Sequence, residues 1–206
     1  MNVLTSTEQK VAQEMINAGY TNAAQSFSGI AQQQVTIQTS TLEIATESSD
    51  QLNLAKEGDL RLVTTEIMGE MKGKSYLLLN ESECEAIYQA CLPPGGSAES
   101  RKVMGEAVIK EIDNIISAAV ITEFSNRFQV SIFGDVPYLF DGPEAEISRI
   151  IQADFADNAE TGCYLFANTY FAFENNTKLQ PQFFWKLPSD FLQRIKEYAQ
   201  KASAVS

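Results

Sequence analysis

Glu111 and Asn114 stand three residues apart in a long helical pattern, and Glu14 and Asn17 repeat them 97 positions earlier. Residues three apart on a helix share a face, so each pair presents a carboxylate and an amide together. The surroundings repeat as well. Gln13-Glu14-Met15-Ile16-Asn17 precedes Phe27-Ser28 as Lys110-Glu111-Ile112-Asp113-Asn114 precedes Phe124-Ser125. Each helical pattern then runs into a β-rich stretch, Val35-Thr36-Ile37 in one case and Val130-Ser131-Ile132-Phe133 in the other. With 19 Glu and 11 Asn in the chain, about one Glu-x-x-Asn arises by chance, so the spacing carries little by itself. A third pair, Glu123 and Asn126, has Ser26 and Gly29 at the equivalent earlier positions and is not duplicated. The matched helical context is what singles out the other two, and it points to a duplicated fold carrying a duplicated site.

The rest of the composition limits what chemistry such a site can do. The 206 residues contain no His, which removes the usual general base, nucleophile activator and commonest metal ligand together. Serine-protease-like and zinc-hydrolase mechanisms are excluded on that ground. Twenty-seven acidic residues against 15 basic ones give a net charge of −12, which argues against binding nucleic acid. Cys84, Cys91 and Cys163 are odd in number and lack metal-ligand spacing, so they read as buried small hydrophobes in a reducing compartment. The first residues have neither a basic region nor an apolar run, and no stretch approaches the ~20 apolar residues that span a bilayer. The expected location is the cytoplasm, away from any membrane.

The elements that must position the pairs follow from periodicity. An amphipathic helix is expected over 7–33 with Ser6 or Thr7 as N-cap, with Val11, Ala12, Met15, Ala18 and Gly19 inward. Glu14 and Asn17 then share the outward sector with Lys10 and Thr21. Extended stretches at 34–44 and 59–70 lead through the turn Gly69–Gly73 to a strand at 74–79 and a helix at 81–91. Leu92-Pro93-Pro94-Gly95-Gly96-Ser97 is the clearest break. Beyond it come a long helix over 100–128, a strand at 130–133, a helix at 141–153 and strands at 163–174 and 178–187 joined by Asn175-Asn176. A closing helix runs over 189–199. In the long helix Val108, Ile109, Ile112, Ile115, Ile116, Ala119 and Val120 form the core stripe, while Glu111 and Asn114 fall opposite beside Ala107 and Ala118. A carboxylate and an amide flanked by alanines make a flat patch that another protein could approach closely. Helix, strands, helix, twice over, predicts an α+β fold: an antiparallel sheet flanked by helices with approximate twofold symmetry. We expect one domain over 1–206, built from interlocked repeats at about 1–92 and 98–206, because half the chain would leave an open sheet edge and an uncovered face.

At these residues the sequence resembles the CheC/CheX/FliY family of chemotaxis phosphatases. Members carry Asp or Ser, then Glu four residues on, Asn three further, and Pro twenty-three after the Asn. Asn114 and Pro137 keep that last spacing. Glu14 to Ser28, with Asn22-Ala23-Ala24 within it, is similar to the family's first motif helix, and Gly69–Leu79 is similar to its hairpin. The two-motif layout is closer to CheC than to single-motif members. The resemblance implies a pseudo-twofold CheC-like fold with the motif helices side by side. It also implies hydrolysis of the aspartyl phosphate of a CheY-type receiver domain. Asn114 would hold the attacking water and Glu111 would pair with a receiver lysine, with Glu14 and Asn17 as a second site. The chain would need no cofactor of its own, because the receiver brings Mg²⁺, and a CheD-like deamidase is a further implied partner. Three positions depart from the pattern: Lys10 and Ala107 occupy the Asp/Ser position, and Ser40 stands where the first repeat would have Pro. Lys10 can also pair with Glu14 one helical turn away, so catalysis is expected at Glu111 and Asn114.

Two readings follow. One is a phosphatase; the other is an adaptor that keeps the fold and docks a receiver or motor-switch protein without hydrolysis. A nucleotide or metal enzyme has little support, since neither Gly69–Gly73 nor Pro94–Ser97 is a phosphate-cradling pattern. The aromatic run Phe166, Tyr170, Phe171, Phe173, Phe183, Phe184 and Trp185 reads as packed sheet.

Overall fold

A computed structural model describes residues 4–46, 56–156, 162–175 and 177–205. In chain order the elements are α1 (Ser6–Ala31), β1 (Val35–Ala45), β2 (Asp59–Gly69), β3 (Gly73–Asn80), α2 (Glu81–Cys91), α3 (Ala98–Phe128), β4 (Ile132–Gly134), β5 (Tyr138–Pro143), α4 (Glu144–Ala156), β6 (Gly162–Phe173), β7 (Lys178–Leu179), β8 (Gln182–Pro188) and α5 (Asp190–Val205). The fold is α+β, with all strand pairs antiparallel in one eight-stranded sheet.

The strand order β1-β6-β8-β3-β2-β4 makes the pseudo-twofold visible. Exchanging the halves swaps β1 with β4, β6 with β2 and β8 with β3, and leaves the order unchanged. Each half therefore lends its outer strand to the other. β1 lies along β6, β4 lies along β2, and β3 meets β8 at the centre. The register is equivalent too, since Val35 pairs with Phe173 as Ile132 pairs with Gly69.

The sheet has two buried faces. On one lies the main core, where Met15, Ile16, Ala23 and Phe27 of α1 meet Ile109, Ile112, Ile116, Val120 and Phe124 of α3, with α2 and α5 flanking. The sheet contributes Val63, Ile67, Leu77, Phe171, Phe183 and Trp185 to that core. The other face is covered by α4, whose Ile147, Ile151 and Phe155 pack on Leu60, Leu62, Tyr76, Leu78, Tyr164 and Phe184. The alternation along β2 and β8 that sends neighbouring residues to different cores is what a sheet buried on both sides requires. The aromatic run is thus packed sheet, although Phe166 and Tyr170 are only half-buried.

Both long helices end alike, and this explains the repeated Phe-Ser. Phe27 and Phe124 are buried. The Ser28 hydroxyl accepts from the Val35 N–H at 2.9 Å, and Ser125 donates to the Val130 carbonyl at 2.6 Å. Gln32 and Gln129, 97 apart, each close their helix in the left-handed conformation, at φ 50° and 55°. The repeat therefore fixes how each helix turns into its strand.

Several boundaries differ from expectation. α1 is capped by Thr5 rather than Ser6 or Thr7: its hydroxyl accepts from Glu8 N–H while the Glu8 carboxylate accepts from Thr5 N–H. The segment 141–153 is not helical throughout, because Asp141–Pro143 complete β5, which pairs with the edge of β2. The expected strand at 178–187 divides into β7 and β8 at Gln180-Pro181, where proline cannot donate to a ladder. The strand expected at 130–133 is the short β4. Cys84 and Cys163 are buried, whereas Cys91 is half-buried, and all three are free thiols. Of the expected turn Asn175-Asn176, Asn176 lies outside the described residues.

Candidate functional site

α3 presents Glu111 and Asn114 on the side away from the sheet. Ile109, Ile112 and Ile116 point into the core, and Ala107, Glu111, Asn114 and Ala118 are all exposed. Among the described residues, neither side chain has a hydrogen bond or ion pair, so both are available to a partner molecule. The Asn114 carbonyl is used by Ser117, whose hydroxyl donates to it at 3.3 Å. The carboxamide is free of that bond.

The equivalent pair on α1 is placed differently. Glu14 is exposed but lies 4.0 Å from Lys10 one turn earlier. Asn17 is half-buried. The third pair is structural: Glu123 accepts from Arg127 at 3.1 Å and from the Asn22 amide at 3.3 Å, tying α1 to α3. The two motif helices are in direct contact. A Cβ added to Gly19 would stand 2.8 Å from the Val120 Cα, so α1 approaches the α3 backbone as closely as a glycine allows.

Pro137 lies in the three-residue gap between β4 and β5. Ser40, its counterpart, sits inside the eleven-residue β1, where the register with β6 shifts between Thr39 and Thr41. The first repeat accommodates that position as a bulge and continues its strand, whereas the second breaks and exposes a loop. Val136 and Tyr138 flank the proline at 82% and 62% exposure, and Phe133 and Met68, paired across β4 and β2, are also exposed.

A group absent from the sequence expectations lies behind the exposed pair. Asp113, between Glu111 and Asn114, is fully buried and accepts from the Thr65 hydroxyl of β2 at 2.6 Å. Its second oxygen has no partner. Burial pushes its carboxyl up to about 7, opposed only by the Thr65 hydrogen bond. Its place next to Ile112 on the core side of the helix was legible from the helical pattern, yet the charge directs attention outward.

Among the described residues no three His, Cys, Asp or Glu side chains gather as a metal would require, and no helix is long and apolar enough to cross a membrane. No family model matches the sequence, and no curated protein sequence matches it. The fold, however, is that of the CheC/CheX/FliY chemotaxis proteins. FliY of Thermotoga maritima superposes with a TM-score of 0.71 at 17% identity, covering 96% of this chain and 98% of its own. CheX in the CheX–CheY–BeF3–Mg²⁺ complex from Borrelia burgdorferi gives 0.50 at 12% identity over 82% and 96%. FliM in the FliM–SpeE complex from H. pylori gives 0.61 at 11% identity over 95% and 97%.

Proposed function

We propose that this chain hydrolyses the aspartyl phosphate of a CheY-type receiver domain, with the chemistry at Glu111 and Asn114 of α3. The observation that carries this reading is the pair itself: a carboxylate and a carboxamide, exposed on one helix face, unengaged and flanked by alanines. Asn114 donates to and accepts from one water and orients it in line with phosphorus. As that water attacks, the bond from phosphorus to the acyl oxygen breaks, giving inorganic phosphate and the free aspartate carboxylate. An acyl phosphate is already reactive, so positioning alone supplies most of what is needed, and a protein without histidine can do it. Glu111 pairs with a lysine of the receiver and sets the docking angle. The receiver brings Mg²⁺, which neutralises charge on the phosphoryl oxygens. Support comes from the Borrelia complex, in which a protein of this fold is bound to CheY.

Glu14 and Asn17 form the lesser site in this reading, because Lys10 competes for Glu14 and Asn17 is half-buried. A second reading, a non-catalytic adaptor, is favoured by Lys10 and Ala107 at the Asp/Ser positions and by FliM, whose fold is shared and which is found in complexes with FliG and SpeE. Decay of a phosphorylated cognate receiver, followed with and without this protein, separates the two. Acceleration that disappears in Asn114→Ala supports the phosphatase; binding without acceleration selects the adaptor.

A further inference from the structure

The repeat provides an internal control for Asp113. Thr65 lies four residues before Gly69, and Thr169 lies four before Phe173, so the two buried threonines are equivalent in the sheet register. Each holds a polar group from the helix above it. Thr169 shares a hydrogen bond with the Tyr20 hydroxyl at 3.1 Å, and Thr65 donates to Asp113. The helix positions differ by a turn. Where α1 has Ile16 and Tyr20, α3 has Asp113 and Ser117, both buried. One repeat thus seats its helix with isoleucine and a phenol, the other with a carboxyl and a small hydroxyl. The exchange falls in the repeat whose Glu–Asn pair is exposed and unengaged, directly between those two residues. Thr65 also reaches the other part of the site, since a Cβ on Gly134, three residues before Pro137, would sit 3.2 Å from the Thr65 methyl.

We propose that Asp113 and Thr65 are positioning residues for the Glu111–Asn114 turn, and that gain or loss of the Asp113 proton changes how this turn seats on the sheet. A neutral Asp113 keeps its bond from Thr65 and leaves no buried charge. When ionised, it keeps the Thr65 bond but has a charged oxygen with no donor, which the core accommodates only by moving α3 outward or admitting water. Asn114 follows in the chain and moves with it. Among the described residues no charged side chain offsets this. On β2, Glu66 points to the opposite face and pairs with Lys74, while Arg61 lies four residues along and faces Asp141. β4 carries no ionisable residue, and on α3 itself Lys110 and Glu111 are exposed, while Glu106, two turns before Asp113, is half-buried and lies 3.9 Å from Lys102. On α1, Tyr20 is held by Thr169 and Glu14 lies beside Lys10. On α2, Tyr88 packs against Gly105, two turns before Asp113. On α5, Tyr198 is engaged by Arg127 of α3, and on β5 Asp141 lies beside Arg61. The chain has no histidine, and burial raises the Asp113 carboxyl to about 7 beside its single bond from Thr65.

The catalytic part of this inference rests on the phosphatase reading; the positioning part does not, and the test separates them. The side-chain amide signal of Asn114, assigned by its loss in Asn114→Ala, is followed by NMR from about pH 5 to 8.5 in the full chain. We expect it to titrate in wild type and in Thr65→Ser, and to be flat in Asp113→Asn. Thr65→Val removes the donor to the carboxylate and is expected to move the midpoint to higher pH. On a phosphorylated receiver the wild-type rate falls by about threefold or more above neutrality relative to Asp113→Asn at the same pH. An Asn114 signal that is flat in wild type, or that titrates equally in Asp113→Asn, overturns the proposal. If Asp113→Asn does not fold, an unmoved midpoint in Thr65→Val overturns it as well. Absence of phosphatase activity with a normal titration removes the phosphatase reading and leaves the positioning role standing.

Discussion

At the scale of single residues, three similar side chains have three fates set by their neighbours. Glu111 is exposed with no intramolecular partner, Glu14 shares its turn with Lys10, and Glu123 is held by Arg127 and Asn22. Only the first is free to meet a cation on another molecule. The sequence already distinguished Glu111 from Glu14, because lysine one turn before a glutamate is legible in the spacing. It did not single out Asp113, which the helical pattern places on the core side although a carboxylate ordinarily faces outward. That residue has a thermodynamic consequence. Its carboxyl is raised from its ordinary value of 3.8 to about 7, so the folded state holds the proton more tightly than the unfolded chain. The stabilisation is complete below the ordinary carboxyl range and is lost as pH rises through about 7. The stability of wild type relative to Asp113→Asn should therefore fall by about 2–3 kcal/mol between pH 5 and 8, measured by urea denaturation at both pH values. A constant difference would place the titration of Asp113 outside this range.

Among elements, α1 and α3 matter most, because their contact sets both polar faces on one helical layer. Gly19 controls that contact. Alanine is the better helix former, but its Cβ would meet the Val120 backbone, which cannot swing aside as a side-chain tip would. Gly19→Ala should lower stability by about 1–2 kcal/mol despite the gain in helix propensity, read from the urea midpoint. A neutral or stabilising result would mean the helices separate at little cost. The Thr5 cap has a smaller, local role: Thr5→Ala should cost about 1 kcal/mol in the same measurement. Most long elements were legible from periodicity, and α2 was placed at its observed bounds because Pro93 and Pro94 stop it. β5 was not, since its six residues include Asp141-Gly142-Pro143 and owe their extended form to pairing with β2. Pairing of that kind is a tertiary property, invisible in a window of sequence.

Over the whole molecule, the exchange of outer strands between halves dictates cooperativity. β1 has its partner in the second half and β4 has its partner in the first. Neither segment 1–92 nor 98–206 should fold alone; each separately expressed half should lack dispersed NMR signals, and mixing the two should restore them. Folding of either half by itself would contradict the interlocked reading. The same duplication supplies two helix faces and lets them diverge, so that one is available to a partner while the other is partly closed. The sequence showed the duplication and its departures, but the palindromic strand order that explains them belongs to the sheet. Action of the α3 face on a phosphorylated receiver is read from the first-order decay of a cognate aspartyl phosphate with wild type, Asn114→Ala and Asn17→Ala added in equal amounts. Wild type should accelerate the decay, Asn114→Ala should lose about 100-fold of that acceleration, and Asn17→Ala should retain most of it. Decay that wild type leaves unchanged, or that only Asn17→Ala slows, would contradict that action.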